Sequence, residues 1–217
     1  MSAAPLGVLM LDTRFPRPPG DIGNPHGLPW PVLYRTVAGA WPRRVLAGND
    51  PALLKPFIDA ARALVRDGAG AVATSCGFLI RLQRELVSAV SVPVWTSSLL
   101  KLPELTGAGV LTVDAASLLG ADLLAAGAAI DTPVEGLASG CHLQRVLLDD
   151  LPELDLATAE QDAVAAALRL VARCPGVTSL VLECTNLPPY AEAIVRATRR
   201  PVHHLASFIA ERFGSAP

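Results

Sequence analysis

The sequence predicts an α/β fold of two similar lobes, each a parallel sheet flanked by helices, with an active site in the cleft between them. Three observations lead to this fold class. Continuously apolar segments of strand length alternate with helical patterns, which is typical of parallel strands covered on both faces. A pattern in the first half of the 217 residues returns in the second half. In each half, a long apolar strand ends at a cysteine.

The internal repeat depends on landmarks that keep their order and spacing. The segment GVLMLD at 7–12 returns as GVLTVD at 109–114, an offset of 102 residues. Three further landmarks, a glycine, a cysteine and a proline, return after 108 residues as Gly68 and Gly176, Cys76 and Cys184, Pro93 and Pro201. A shared order and a nearly constant offset predict the duplication of one α/β unit, with the two copies related by a pseudo-two-fold axis.

The elements follow from this pattern in chain order. Apolar runs predict strands, and apolar residues at helical spacing predict the helices between them. In the first half we predict a strand at 7–12, a helix at 51–66, a strand at 69–75, a helix at 79–90 and a short strand at 94–97. In the second half we predict a strand at 109–113, helices at 115–126 and 158–173, a strand at 178–183, a helix at 189–198 and a short strand at 202–205.

The predicted elements also set the lobe boundaries. Gly68 and Gly176 stand where each long helix should end before the next strand, a position that glycine favours. The first lobe is predicted at 1–98 with an insertion at 13–49, joined by the C-terminal segment 202–217, and the second lobe at 99–201.

Composition limits the classes of function. Hydrophobic residues make up 51% of the chain and charged residues 18%, which predicts an ample core. The net charge is −2 and the basic residues form no runs, so we expect no nucleic-acid partner. No apolar run reaches the roughly 18 to 20 residues of a membrane span, so we expect a cytoplasmic protein without a membrane partner. The four cysteines should then be thiols, and their spacing with the histidines predicts no metal site.

Cys76 and Cys184 carry the functional prediction. Each lies between a predicted strand and a predicted helix, at the carboxyl end of the strand where open parallel sheets bind ligands. The N-terminal amides of a helix favour a thiolate and lower the pKa of a nearby thiol. The pseudo-two-fold axis should place the two thiols face to face. One can then remove a proton from a carbon while the other delivers a proton from the opposite side, which inverts a stereocentre.

The segments around these cysteines resemble a known family. TSCGF at 74–78 and LECTNL at 182–187 are similar to the two cysteine motifs of the aspartate/glutamate/hydantoin racemase superfamily, and the likeness covers nearly the whole chain. Gly77 and Phe78 depart from the Cys-Asn-Thr motif of glutamate and aspartate racemases, and Asn186 stands where glutamate racemases carry a histidine. Both departures favour a divergent, hydantoin-racemase-like member.

The resemblance implies a racemase or epimerase without metal or other cofactor, which inverts a carbon next to a carboxylate or carbonyl. The substrate would be an amino acid, a hydantoin or a related small acid, that is, a carboxylate or a cyclic amide. Backbone amides and hydroxyls at the two helix starts would stabilise the charge on a substrate oxygen. Asp12 and Thr13 match an Asp-Ser pair of glutamate racemases, with loop capping as the alternative for Asp12. The candidate substrate-binding residues are Asp12, Thr13, Arg14, Ser75, Gly77, Phe78, Thr185 and Asn186.

The insertion at 13–49 follows the first strand and should therefore cover the same cleft. Its first half is rich in proline and glycine, and long irregular segments in compact domains are usually functional or disordered. We predict a lid or specificity loop in which Arg14 or Arg17 binds a substrate carboxylate through two hydrogen bonds. The alternative is an oligomer contact, because apolar residues from Trp30 to Trp41 recur at near-helical spacing. We expect a homo-oligomer.

Two other interpretations stay open. Decarboxylases and cis–trans isomerases of the same superfamily share the fold, although the decarboxylases lack one of the two cysteines and an isomerase uses one thiol as a nucleophile. A non-catalytic small-molecule binding or redox-sensing protein would keep the cleft, and its two thiols would form a reversible disulfide.

Overall fold

Two parallel four-stranded sheets form the frame of the protein. The structure, a computed structural model, describes residues 4–48 and 50–213. The strand orders are β2-β1-β3-β4 and β6-β5-β7-β8, and all neighbouring strands are parallel. The strands are Leu6–Leu11 (β1), Val32–Val37 (β2), Ala71–Thr74 (β3), Val94–Trp95 (β4), Ala108–Thr112 (β5), Val134–Gly136 (β6), Ser179–Leu182 (β7) and Val202–His204 (β8). The predicted fold class is confirmed.

Helices cover the faces of both sheets. The α-helices in the described part of the chain are Pro42–Ala47 (α1), Leu54–Arg66 (α2), Gln83–Ala89 (α3), Gly120–Ala125 (α4), His142–Leu148 (α5), Leu156–Arg173 (α6), Ala191–Thr198 (α7) and Leu205–Phe213 (α8). Short 3-10 helices lie at Pro51–Leu53, Gly77–Leu82, Ser98–Glu104 and Pro188–Tyr190. The predicted helices at 51–66, 79–90, 158–173 and 189–198 therefore form, with a 3-10 turn at the start of three of them.

The two lobes repeat one packing arrangement of the long helix on the central strand. Every residue of β1, β3, β5 and β7 is buried, which explains their continuously apolar sequences. Gly7 in β1 and Gly109 in β5 are the closest points of contact. A Cβ atom on Gly7 would lie 3.1 Å from the Cβ of Leu64 in α2, and one on Gly109 would lie 2.9 Å from the Cδ2 of Leu170 in α6. The repeated glycine thus allows each long helix to approach its sheet.

Segment 13–49 contains a regular strand. Val32–Val37 pairs in parallel with the whole of β1, and β6 occupies the same edge position in the second sheet. The prediction of an insertion is therefore wrong at residues 32–37, which form a strand equivalent to β6. The near-helical spacing from Trp30 to Trp41 does not correspond to a helix there. Most side chains of β2 are half-buried or exposed, so the edge strand shows no continuous apolar run.

The C-terminal segment predicted at 202–217 divides between the lobes. Val202–His204 pairs with β7 and forms the edge strand of the second sheet. The following helix α8 packs against β1 of the first lobe, where Leu205 and Phe208 are buried in a cluster with Leu6 and Val8. Residues 1–3 and 214–217 of the predicted first lobe, and residue 49 at the end of the predicted insertion, lie outside the described residues.

The helix C-terminal glycines behave differently in the two lobes. Gly68 has a φ of +99°, the left-handed conformation predicted for it. Gly176 does not adopt a positive φ, because α6 ends three residues earlier, at Arg173, and Cys174 caps it through its N–H to the carbonyl of Leu170. The predicted capping role of Gly176 is therefore wrong.

Candidate active site

Cys76 and Cys184 lie at equivalent strand ends and line one cavity. Cys76 follows β3 and Cys184 follows β7, and these strands occupy the same position in the two sheets. The carbonyl of each cysteine accepts the amide N–H three residues later, from Leu79 and Leu187, at 3.1 Å. Both cysteines are buried, with 9% and 6% of their surface exposed. The topology therefore brings together the two thiols that the repeat singles out.

The cavity between the lobes is small and mostly apolar. Its volume is about 30 Å³, room for one or two water molecules. Among the described residues, no lysine or arginine lines it. The lining residues are Leu11, Phe15, Pro42, Leu46, Ser75, Cys76, Gly77, Phe78, Val113, Leu147, Leu148, Cys184, Thr185 and Asn186.

Burial decides the protonation of both thiols. Desolvation raises the pKa of Cys76 to about 12, and the negative charge of Glu183 acts in the same direction. Burial, followed by Glu183, also raises the pKa of Cys184 well above its ordinary value. The backbone N–H groups of Phe78 and Asn186 favour the thiolates, as predicted for a turn that follows a strand, but burial outweighs them. The predicted lowering of the thiol pKa is therefore wrong for this structure.

Glu183 is a buried carboxyl group that the sequence analysis did not select. Its Oε2 accepts a hydrogen bond from Thr112 Oγ1 at 2.6 Å, and its Oε1 has no hydrogen-bond partner among the described residues. Desolvation by burial raises the pKa of Glu183 to about 7, against the lowering effect of the Thr112 hydrogen bond. The position of Glu183 in the sequence could have indicated its importance. It is a charged residue between a continuously apolar strand and Cys184, and charged residues are rarely buried without a structural or chemical role.

A chain of hydrogen bonds joins segment 13–49 to Cys184. The Cys184 thiol lies 3.6 Å from Asn186 Oδ1, and Asn186 Nδ2 donates to Asp21 Oδ2 at 2.5 Å. Asp21 is almost completely buried, and its Oδ1 accepts hydrogen bonds from Arg17 Nη1 at 3.0 Å and from the Gly23 N–H at 2.7 Å. Arg17 is thus engaged by Asp21. Sequence reasoning missed Asp21 because it lies 165 residues from Asn186.

Ser75 and Thr185 line the cavity and also hold the two lobes together. The Ser75 hydroxyl accepts the Leu11 N–H at 2.9 Å, and the Thr185 hydroxyl donates to the Ser75 carbonyl at 2.6 Å. A similar bond runs from the Ser98 hydroxyl to the Leu182 carbonyl at 2.6 Å. The bonds made by the Thr185 and Ser98 hydroxyls connect the strand ends of the two lobes, whereas the Ser75 hydroxyl bond lies within the first lobe. The side-chain hydroxyl of Thr185 is therefore engaged by protein in this structure.

Asp12 and Thr13 lie beside the cavity and do not line it. The Asp12 carboxylate accepts the Gly39 N–H at 2.9 Å, which is the loop-capping arrangement. The Thr13 hydroxyl accepts a hydrogen bond from Arg17 Nη2 at 3.0 Å. Their predicted part in substrate binding stays a prediction.

Arg14 and Phe15 anchor the start of segment 13–49 to the second lobe. The Asp150 carboxylate accepts the N–H groups of Arg14 and Phe15 at 2.6 and 3.1 Å, and the Arg14 Nε at 3.1 Å. Asp150 follows α5 and has a φ of +53°. Beside it, Arg43 Nε donates to Asp149 at 3.1 Å. These contacts place the Phe15 side chain on the cavity wall, while the Arg14 guanidinium lies at the surface against Asp150.

The described residues form no metal-binding cluster, no helix that could span a membrane and no disulfide bond. Between residues 4 and 48 and between 50 and 213, no three His, Cys, Asp or Glu side chains are grouped so that they could hold a metal ion. Among the helices of the same residues, none is both long and apolar enough to cross a membrane. All four cysteines are free thiols, and Cys141 and Cys174 lie away from the cavity.

The fold is shared with solved enzymes of more than one activity. Unliganded arylmalonate decarboxylase has a TM-score of 0.62 at 17% identity, with 98% of this chain and 93% of that chain covered. Glutamate racemase from Francisella tularensis in complex with D-glutamate has a TM-score of 0.59 at 14% identity, with 99% and 81% covered. At these identities the likeness concerns the fold.

Curated relatives are more similar in sequence. A dimethylsulfoniopropionate lyase from Durusdinium sp. clade D is 30% identical over 216 residues, which cover 92% of this chain and 71% of the relative. Dimethylsulfoniopropionate lyase 7 from Emiliania huxleyi (strain CCMP1516) is 31% identical over 216 residues, covering 91% and 62%. No protein-family model matches the chain. The fold is that of arylmalonate decarboxylase and of the aspartate and glutamate racemases, so the predicted resemblance is confirmed at the level of the fold. The chain belongs to the dimethylsulfoniopropionate lyase family.

Proposed function

We propose that the protein is a lyase that eliminates a sulfonium group from a small carboxylate, with one of the two cavity thiols as the base. The observation that carries this proposal is the pair of buried thiols on an apolar cavity, in a chain 30% identical to a dimethylsulfoniopropionate lyase. The family relationship favours a lyase over the isomerase predicted from the resemblance. The shared fold by itself is compatible with either reaction.

The reaction needs one base and no external oxidant or reductant. In dimethylsulfoniopropionate, the carbon next to the carboxylate carries the proton to be removed, and the following carbon carries the dimethylsulfonium group. A thiolate takes the proton, and the electrons of the carbon–hydrogen bond form a carbon–carbon double bond. The carbon–sulfur bond breaks toward sulfur. The products are acrylate and dimethyl sulfide, and the proton remains on the cysteine until it leaves to solvent.

The electrostatics of the cavity favour a substrate with a positive charge. Both thiols have raised pKa values because they are desolvated and lie near Glu183. A sulfonium cation next to them stabilises the thiolate, because an opposite charge at short range favours the ionised form. Phe15 and Phe78 line the cavity and offer apolar surface to the methyl groups of the sulfonium, while each ring also packs against a guanidinium group, from Arg17 and Arg81. A substrate with two carboxylates would instead bring a second negative charge close to Glu183, and no lysine or arginine among the lining residues would balance it.

The substrate carboxylate is proposed to bind at the two turns that begin after the cysteines. There, the backbone N–H groups of Phe78 and Asn186 point toward the thiols and favour negative charge. Gly77 and Thr185 also line the cavity, and we propose their backbone N–H groups as further donors to this carboxylate. Charge grows on the carboxylate oxygens as the adjacent carbon loses its proton, so N–H groups in this position stabilise the transition state.

A racemase or epimerase is the second candidate. Elimination needs a single base, whereas both lobes bring a thiol to the same cavity. Two opposed thiols are the arrangement that inversion of a stereocentre requires.

One experiment separates the two candidates. The protein is incubated in D₂O with dimethylsulfoniopropionate and, separately, with amino acids and hydantoins, and the products are followed by gas chromatography and NMR. We expect release of dimethyl sulfide and acrylate by the wild type and by Cys174→Ser, a control away from the cavity. At least one of Cys76→Ser and Cys184→Ser should lose roughly 100-fold or more in rate. Deuterium in both enantiomers of an amino acid or hydantoin, without dimethyl sulfide, would establish the racemase instead.

A further inference from the structure

We propose that Asp21 is a positioning residue that sets the protonation of Cys184 through the side chain of Asn186. The inference rests on the proposed function in that it takes Cys184 as a reacting group. It adds a role for segment 13–49, which carries Asp21 and also covers the cavity with Phe15.

The hydrogen bonds fix which way the amide of Asn186 points. An ionised carboxylate only accepts hydrogen bonds, so the Asn186 group 2.5 Å from Asp21 Oδ2 is the NH₂ group. The amide oxygen then faces Cys184, whose sulfur lies 3.6 Å away. A carbonyl oxygen accepts a hydrogen bond from S–H but repels a thiolate. This orientation therefore favours the protonated form of Cys184.

Asp21 is held in place by a buried ion pair and a backbone hydrogen bond. Its carboxylate is 1% exposed, and it forms a buried ion pair with Arg17 at 3.0 Å. The Gly23 N–H adds a third hydrogen bond at 2.7 Å. Hydrogen bonds from charged and backbone donors stabilise a carboxylate that would otherwise be costly to bury. Asp21 thus has the fixed position and the charge that are needed to orient Asn186.

The two thiols have different charged neighbours: Asp21 raises the pKa of Cys184, whereas two arginines lower the pKa of Cys76. Glu183, Cys76 and Asp21 are charged or titratable neighbours of Cys184, and Cys184 in turn raises the pKa of Tyr190. After burial and Glu183, Cys76 and Asp21 also raise the pKa of Cys184, whereas the Asn186 N–H lowers it.

Cys76 has cationic neighbours that act on it. Burial and Glu183 raise its pKa, but Arg17 and Arg81 lower it, as does the N–H of Phe78. Asp21 is among the groups with the largest effects on the pKa of Cys184 but not among those with the largest effects on the pKa of Cys76. A change at Asp21 should therefore affect Cys184 more than Cys76, which makes Cys76 an internal reference in the same cavity.

The variant Asp21→Asn tests the inference directly. The substituted amide keeps an acceptor for Gly23 and Arg17 but presents NH₂ to Asn186, whose amide must then turn its own NH₂ toward Cys184. A donor facing the sulfur stabilises the thiolate. We expect iodoacetamide to modify Cys184 roughly tenfold faster at a given pH below the pKa, equivalent to one pKa unit. Peptide mass spectrometry measures Cys184 separately from the other three cysteines.

Two controls separate this route from a general loosening of the cavity. Asp150→Gly releases Arg14 and Phe15 without touching Asn186, and it should accelerate Cys76 and Cys184 by similar factors. Equal acceleration of both thiols in Asp21→Asn would overturn the inference. In an Asn186→Ala background, only the direct effect of the Asp21 charge remains, so the acceleration caused by Asp21→Asn should become clearly smaller, and an undiminished acceleration would contradict a route through Asn186.

Asn186→Ala by itself provides the test if Asp21→Asn does not fold. It removes the acceptor oxygen, so Cys184 should again react faster relative to Cys76. An unchanged ratio of the two rates would contradict the inference. Alkylation requires no turnover, so a failure of the proposed lyase activity would leave this measurement valid and separately interpretable.

Discussion

Gly77, in the first cysteine motif, packs directly against Glu183, in the second. A Cβ atom at Gly77 would lie 2.2 Å from the carbonyl oxygen of Glu183 and 2.4 Å from its Oε1. Real Cβ atoms do not approach other atoms so closely, so any larger residue at this position requires the second lobe to shift. The glycine that departs from the Cys-Asn-Thr motif of the racemases is therefore explained by the neighbouring glutamate.

Gly77→Ala should be strongly destabilising for this reason. We expect the free energy of unfolding to fall by at least about 2 kcal/mol, because the atoms that the new methyl group meets belong to the backbone and to a buried side chain. Urea unfolding followed by circular dichroism measures the change. Gly176→Ala is the matched control, since no atom lies within 4 Å of its added Cβ and its φ is not positive. Equal stability of the two variants would contradict this account.

At the scale of elements, the connection between α5 and the start of segment 13–49 depends on Asp150. Its left-handed backbone conformation is uncommon for a residue other than glycine, asparagine or aspartate. That conformation aims the carboxylate at the N–H groups of Arg14 and Phe15. One side chain thus fixes the position of a cavity-lining residue from the other lobe.

Asp150→Gly should release this end of segment 13–49 while leaving the backbone of residue 150 unstrained. We expect the amide hydrogens of Arg14 and Phe15 to lose their protection against exchange with D₂O, because their only described acceptor is the Asp150 carboxylate. Hydrogen exchange measured by NMR follows both amides. Asp149→Asn alters the neighbouring contact with Arg43 and should leave both amides protected. Unchanged protection in Asp150→Gly would show that the segment is held elsewhere.

At the scale of the whole molecule, the buried Glu183 links stability to pH. Burial raises its pKa from 4.5 to about 7, so the folded protein holds a proton that the unfolded chain releases between these values. Stability from this group is complete below pH 4.5 and falls as pH rises toward 7, because the ionised form is disfavoured inside the protein. The difference amounts to about 3 kcal/mol.

Glu183→Gln should remove this dependence on pH. We expect the variant to gain about 3 kcal/mol relative to the wild type when the pH is changed from about 4 to about 8, as measured by urea unfolding at both pH values. Glu192→Gln is the control, because its side chain is 95% exposed and should change the dependence little. Parallel curves for the wild type and Glu183→Gln would mean that Glu183 is ionised in the folded protein.

One cluster of buried residues extends through both lobes. Leu9 and Phe57 of the first lobe belong to the same cluster of buried residues as Leu111 and Leu170 of the second. The hydrogen bonds of Ser98 and Thr185 join the lobes at the strand ends beside the cysteines. The shared cluster and these hydrogen bonds therefore fix the position of the two thiols relative to each other.

The fold class, the duplicated lobes and the two cysteines could all be predicted from the sequence alone. Buried parallel strands must be apolar throughout, and a duplicated unit repeats its landmarks at a constant offset, so these features are visible along the chain. The half-exposed edge strand β2 has no such pattern and was missed.

The surroundings of the thiols depend on the tertiary structure. Asp21 reaches Asn186 across 165 residues, and Glu183 packs against Gly77 from the other lobe. The rise in the thiol pKa comes from burial, which depends on how segment 13–49 and α5 close over the cavity. Desolvation and distant hydrogen bonds depend on distances in space, and no local pattern of residues encodes them.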